Sequence, residues 1–466
     1  MSNTEGNLGA GEDRLRRRRE PGICVKCRTE KACAYVREAG YCQPCFIHQM
    51  TGKVRTHLTR TPLPGDIREV RGKCRVLLAF SGGPSSRVLL DMVAHYTGEH
   101  VNQQARRFGE ISVVHVDESI LEEDENASCS TLRHDIQNVV DSYGMRLSVV
   151  ALPSAFSTTD DPDGRRGFEK CRQSYSSNGS KSSEEDLVRQ IKMHLLRQVA
   201  LEQGATILLT GDSATRTAIH TLLEITQGRG YTLPFLVGPT STTGYPDVVV
   251  WRPLRDCLAK EMDQYIAFQE LQVPKNTEKK EDKSEPTTLY GMTQSFIVGL
   301  DEGFPATAST VARTAAKLRV APEALESSDE RISRCVICDL PVQGGSQGWR
   351  DRCAILGRST KADDREKGCG DSSKDAGCCG GSGDSGCNGD RPSNQGTSSS
   401  LPMALCYGCR VAASADKGKK EDVERDTPLL WPRYAQHALD QQTKDAKVEG
   451  LREQIQDFLL EDEEDQ

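Results

Sequence analysis

Between residues 75 and 270 the chain repeats one pattern: a short, largely apolar run, a turn, then a stretch with helical periodicity. The apolar runs occupy residues 75–80, 111–116, 146–151, 205–210 and 247–251. The helical stretches are 85–95, 130–143, 184–203, 214–225 and 258–270. A strand that is apolar on both sides must be covered on both sides, which crossover helices do and an antiparallel meander does not. Such crossovers are right-handed. The prediction is an α/β fold, a doubly wound parallel five-stranded sheet. Any ligand is expected outside the carboxyl ends of its strands.

Cysteine spacing adds two smaller modules. Cys24 and Cys27 form one CxxC pair and Cys42 and Cys45 another, 14 residues further on. Two CxxC turns aim four thiolates at one point and build a closed tetrahedral site, which suits structural zinc rather than catalysis. Two unrelated redox pairs are the other reading. Cys335 with Cys338 and Cys406 with Cys409 make a second set, split by 67 residues that include a Gly/Ser/Asp-rich stretch. Loop closure costs rise slowly with length, so a shared zinc site tolerates that interval. Cys369, Cys378, Cys379 and Cys387 within it carry no assignment from composition alone. The chain has 18 cysteines and an N-terminus that bears Glu5, Glu12 and Asp13 without an apolar stretch. Thiols without a secretion signal are read as metal ligands. No apolar run approaches the roughly 18 residues of a membrane helix, so a cytoplasmic protein with no membrane contact is expected.

The expected order of parts is a basic arm at 1–20, a four-cysteine zinc module at 21–50, a linker helix and loop at 51–73, and the α/β domain at 74–271. Linker and helices follow at 272–330, the second CxxC module with its low-complexity insertion at 331–412, and an acidic tail at 413–466. Residues 154–183 look like an insertion in the α/β domain, and 447–460 like an amphipathic helix. The net charge of −8 is uneven: residues 14–75 hold sixteen Lys/Arg against five Asp/Glu. A basic head on an acidic chain suits a nucleic-acid contact, and a solvated arm explains it equally well.

The run Ser81-Gly82-Gly83-Pro84-Ser85-Ser86 joins the first strand to the first helix. Glycines let backbone approach an anion, and free amides at a helix N-terminus bind phosphate. A plain strand-to-helix turn would read the same way. These residues resemble the SGGxDS pyrophosphate loop of the N-type ATP pyrophosphatases, the adenine nucleotide alpha hydrolase-like superfamily. Thr210-Gly211-Asp212-Ser213 resembles that family's TGHN segment. Val116-Asp117-Glu118 resembles its strand-end DEG. Arg252-Pro253-Leu254-Arg255, followed by Lys260-Glu261, resembles its Pro-Leu-basic stretch. With an N-terminal four-cysteine module, the pattern is similar to the non-catalytic branch that serves tRNA 2-thiolation, closely over about residues 22–270 and more loosely over the CxxC pairs and the acidic C-terminus.

The departures from the catalytic pattern are threefold. Ser85 stands where active members have Asp. The TGHN-like segment continues into Ala214-Thr215-Arg216 rather than acidic residues. No thiol occupies 190–193 or 250–252, where catalytic relatives carry cysteines for an iron–sulfur cluster or persulfide. The resemblance therefore implies a pseudo-enzyme, with ATP binding left open. It also implies a heterodimer with the catalytic tRNA 2-thiolation subunit, tRNA as substrate, and a thiocarboxylated ubiquitin-related modifier as sulfur donor. Arg216, Arg229, Arg252 and Arg255 near strand ends suit phosphate contacts that position RNA without reading its sequence, though each also reads as an ordinary surface arginine. An active tRNA-adenylating enzyme and a zinc scaffold for protein conjugation to the modifier remain as the other readings.

Overall fold

The computed structural model describes residues 22–60, 74–95, 108–122, 128–176, 181–241, 248–274, 287–319, 334–342, 405–413 and 431–456. The basic arm at 1–20, the loop at 61–73, the cysteines between 369 and 387 and the acidic end at 461–465 lie outside the described residues.

The N-terminal module is a hairpin, β1 (Ala34–Val36) and β2 (Ala39–Tyr41), held between the two CxxC turns and followed by α1 (Gln43–Arg60). Phe46, Met50, Val54 and Leu58 recur every fourth residue and are buried, so α1 presents one apolar stripe to the rest of the molecule.

The α/β domain then runs β3 (Arg75–Ala79), α2 (Pro84–Ala94), β4 (Glu110–Asp117), α3 (Ser128–Asp141) and β5 (Arg146–Ala151). It continues through α4 (Arg165–Ser176), α5 (Lys181–Glu202), β6 (Ile207–Leu209), α6 (Ala214–Thr226), α7 (Leu233–Leu236), β7 (Thr240–Ser241), β8 (Val249–Trp251) and α8 (Ala259–Phe268). The strand order is β5-β4-β3-β6-β8-β7. All neighbours are parallel except the β7–β8 pair. Six strands form where five were expected. The extra one, β7, is a two-residue antiparallel edge, too short to leave a periodic trace in the sequence.

Alternation along the strands divides the core. Val76, Leu78, Val113, Ile207, Leu209 and Trp251 pack with α1, α2, α3 and α8. Leu77, Val114, Leu208 and Val250 face Val199 and Ala200 of α5 on the other side. The stretch at 154–176 packs into the core. Phe156 and the α4 residues Phe168, Cys171 and Tyr175 are buried, with the two phenylalanines edge to face at 5.8 Å.

Beyond the sheet, α9 (Leu289–Gly303) and α10 (Thr307–Ala315) pack on α6 through Ile297, Ala308 and Ala312. The second cysteine module, with α11 (Tyr407–Ala413), and the long α12 (Arg433–Gln456) join the core that holds Phe156 and Phe168. Trp431 and Ala435 are buried there. The expected acidic tail is therefore anchored at 431–435, and its helix starts at Arg433 rather than near 447. No described helix is long and apolar enough to cross a membrane.

Candidate functional site

Strand order reverses direction between β3 and β6, and the turns that leave these two strands diverge to open a crevice at the switch point. The turn after β3 is Ser81–Gly83, with Gly82 at φ +80° and Gly83 as the N-cap of α2. Ser86 Oγ donates to Gly83 O at 2.9 Å and lies 3.3 Å from Ser81 Oγ, so the hydroxyls brace the turn. Pro84 at the first helical position removes one amide from the anion-binding end of α2. From β6 comes Gly211, packed so closely that an added Cβ would lie 3.0 Å from Ser86 N and 3.1 Å from Ser85 C. Together these turns enclose a cleft of about 220 Å³ lined by Ser81, Ser85, Ser86, Thr210, Asp212 and Arg216 among others.

The acids at the strand ends are engaged. Asp212 Oδ2 accepts from Thr210 Oγ1 at 2.8 Å and from Arg252 Nε at 3.2 Å, with Arg216 Nε 3.8 Å from its other oxygen. Burial works against its charge, but Arg252 and Arg216 outweigh that and hold the carboxyl below its ordinary range. Asp117 accepts from Ser119 N at 3.0 Å and from Arg133. Burial again opposes the charge, and these two donors keep the carboxyl low. Ser213 caps α6, its Oγ accepting from Arg216 N at 3.2 Å.

Across the cleft mouth, Lys192 Nζ of α5 donates to Glu118 Oε1 at 2.9 Å. An ion pair thus stands in the segment where catalytic thiols were expected to be missing. No cysteine lines the cleft among the described residues.

The four arginines separate. Arg216 is half-exposed at the cleft rim. Arg252 is buried, bonded to Asp212 and, through Nη1, to Gly238 O at 3.1 Å, and Arg255 is buried too. Arg229, expected on an RNA-facing loop, is 0% exposed. Its guanidinium lies in the interior against Glu224 and Asp186, and no phosphate reaches it there without unfolding the region. The structure brings Asp212, Arg216 and Arg252 together and leaves Arg229 out.

Among the described residues, two groups of four cysteines can hold metal. In each, Cys24, Cys27, Cys42 and Cys45 or Cys335, Cys338, Cys406 and Cys409, the sulfurs lie within 4.8 Å of one another. Cys27–Cys42 and Cys338–Cys406 stand 3.7 Å apart. A tetrahedron with metal–sulfur bonds of about 2.3 Å has edges of about 3.8 Å, so the donors fit a single ion. The first group is tied to the α/β domain through α1. Phe46 meets Phe268 edge-on at 5.5 Å, Lys53 Nζ pairs with Glu261 at 2.8 Å, and His57 with Asp256 at 2.8 Å.

A family model described as PP-loop domain matches residues 53–283, and one described as Cytoplasmic tRNA 2-thiolation protein 2 matches residues 288–411. The chain thus joins a PP-loop domain to a cytoplasmic tRNA 2-thiolation protein 2 domain, and curated relatives across eukaryotes bear that second name. The member from Schizosaccharomyces pombe is 27% identical over 71% of this chain and 86% of its own length. The one from Oryza sativa subsp. indica is 31% identical over 64% of this chain, which spans 62% of that relative. Among solved structures, a U34-tRNA thiolase from Methanococcus maripaludis superposes with a TM-score of 0.46 at 18% identity, over 63% of this chain and 86% of that one. The segment specific to cytoplasmic tRNA 2-thiolation protein 2 begins where the α/β domain ends. It runs through α9, α10 and the second cysteine group, which the sequence resemblance covered more loosely than residues 22–270.

Proposed function

We propose that this chain is the non-catalytic subunit required for 2-thiolation of the wobble uridine, as 5-methoxycarbonylmethyl-2-thiouridine, in tRNA for Lys, Glu and Gln. It works in the cytoplasm as a heterodimer with the catalytic thiolation subunit, which takes sulfur from a thiocarboxylated ubiquitin-related modifier. The observation that carries this reading is the cleft: its turns keep the shape of a pyrophosphate cradle, but its reactive groups are absent. Ser85 brings a hydroxyl where a metal-facing carboxylate is needed, and the Glu118–Lys192 pair occupies the thiol segment. Asp212 and Asp117 are committed to arginines. A cleft so furnished can hold a nucleotide or present a surface to a partner, but has no nucleophile for sulfur transfer.

The two four-cysteine groups hold structural zinc in this reading. Four thiolates with no open position suit an ion that folds the chain rather than one that activates water. Transfer RNA is held through phosphate contacts, with Arg216 at the cleft rim as the arginine available for it among the four expected. The parts at 21–50, 74–271 and 331–412 serve as zinc module, degenerate cradle and second zinc module.

The test is wobble 2-thiouridine in cells lacking the chain. Loss of the thiolated nucleoside, restored by the wild-type chain and by a Ser81→Ala/Ser85→Ala variant alike, supports the reading. Normal thiolation in those cells refutes it. Pyrophosphate exchange by the purified chain alone would mean it is an adenylating enzyme itself.

A further inference from the structure

Arg229 plays no part in the cleft, yet it is among the largest wholly buried side chains of the molecule. Its Nε donates to Glu224 Oε2 at 2.7 Å and its Nη2 to Asp186 Oδ1 at 2.6 Å. The same Nη2 also donates to Gln227 Oε1. The remaining nitrogen, Nη1, donates to Cys409 Sγ at 3.6 Å. Arg189 shares the two carboxylates, reaching Asp186 at 2.5 Å and Glu224 through its other arm. Two carboxylates and two guanidiniums balance in charge. Four thiolates around a divalent ion leave a formal charge of −2, and one guanidinium of the balanced set is turned toward it.

The contact is built on both sides. A Cβ on Gly228 would fall 2.5 Å from the Tyr407 ring, so only glycine, here at φ +73°, lets that ring lie on the turn. A Cβ on Gly408 would fall 3.0 Å from Arg229 Cγ and 3.1 Å from Cδ. The Gln227–Gly230 turn and the Cys406–Cys409 turn therefore interlock, with the stem of Arg229 lying across Gly408. Tyr231 fastens the other half of the module, its hydroxyl donating to Pro341 O at 2.7 Å.

We infer that Arg229 is an outer-sphere positioning residue of the metal site formed by Cys335, Cys338, Cys406 and Cys409. Through its N–H···S bond it steadies the Cys409 thiolate and slows loss of the metal. The inference rests on the reading that this group holds metal. A charged donor on a metal-bound sulfur withdraws electron density from it, which makes the sulfur a poorer base and a poorer nucleophile. Departure of that ligand, the step that opens the site, becomes slower.

The first cysteine group, in the same chain, supplies an internal reference. The full chain, co-expressed with its partner subunit and loaded with zinc, is challenged with a chelator. Metal loss is followed site by site through alkylation of Cys406 and Cys409 against Cys24 and Cys27 by mass spectrometry. Arg229→Met alone would strand carboxylates, so it is paired with Glu224→Gln, which keeps the charge balance. Arg229→Lys keeps every charge in place and serves as the milder variant. The double variant is expected to release the second metal and expose Cys409 about 10-fold faster or more, with Arg229→Lys intermediate and the first group unchanged. Arg229→Lys keeps most of the stem across Gly408, so a wild-type release rate for it beside a fast double variant would assign the effect to packing and overturn the inference. Equal release from the second group in wild type and both variants, with metal bound at the start, overturns the inference and leaves the metal reading standing. A wild-type chain that takes up no metal at the second group overturns both.

Discussion

His220 gives the structure a pH dependence that can be worked through. The ring lies between α5 and α9, edge-on to Tyr290 at 6.0 Å, and its Nδ1 accepts from Arg189 Nη1 at 3.3 Å. The proton of the neutral ring therefore sits on Nε2, which is buried without a hydrogen-bond partner. Burial, reinforced by Arg189 and Arg216 and opposed by Asp212, pushes its pKa down from 6.5 to about 3. The folded state thus keeps His220 neutral, while the unfolded chain takes up a proton below about pH 6.5. Stability is present above that value and is lost as pH falls from about 6.5 toward 3. Between pH 7 and pH 5 this one group costs about 2 kcal/mol. His220→Gln offers Arg189 an acceptor and does not titrate. Urea midpoints at pH 7, 6 and 5, with zinc in excess, should therefore fall less steeply for His220→Gln, by about 2 kcal/mol over the interval. His194, stacked on Tyr434 at 3.5 Å and lowered to about 4 by burial and Arg197, contributes equally to both proteins and cancels. Parallel curves for wild type and variant would refute the reasoning.

Phe46→Ala removes the ring that meets Phe268 and should cost about 3–5 kcal/mol, read as release of α1 in hydrogen exchange before the sheet opens. Asp256, held down to about 2 chiefly by its bond to His57, stabilises the same junction at neutral pH. Asp256→Asn should lower the thermal midpoint at pH 7, with a gap that narrows only as pH falls below about 4 toward 2. If the proposed heterodimer binds tRNA through the cleft rim, Arg216→Glu should weaken that binding and flatten its salt dependence, while Arg229→Lys, changed in the interior, leaves that slope alone. Ser85→Asp should fail to give pyrophosphate exchange, because Asp117 and Asp212 stay bound to arginines. Measurable exchange would show that one carboxylate was all the cleft lacked.

The sheet could be read from the sequence because its inner strands are buried on both faces and so leave unbroken apolar runs, as at Val76–Leu78 and Ile207–Leu209, whereas the edge strand β5 is half exposed. Cysteine spacing likewise gave both four-sulfur groups, since a CxxC turn fixes its own geometry. What escaped was decided by contacts distant in sequence. Arg229 sits in a Gln-Gly-Arg-Gly turn that reads as an exposed loop, and only the carboxylates of Asp186 and Glu224 and the sulfur of Cys409 draw it inside. Phe168, Cys171 and Tyr175 are spaced for a helix, but Ser, Asp and Gly on either side masked the pattern. Trp431 likewise lies just before a run of polar residues, and its burial depends on a core that Phe156 and Phe168 begin far earlier in the chain.

Cys338 and Cys406 come within 3.7 Å of each other across 67 intervening residues. Holding two cysteines together costs only about 0.6 kcal/mol more for each doubling of the number of residues between them, so the site places little demand on that number. Insertions or deletions there should pass unnoticed by the sheet and its cleft. Evolution can lengthen, shorten or redecorate that stretch while the rest of the molecule stays as it is.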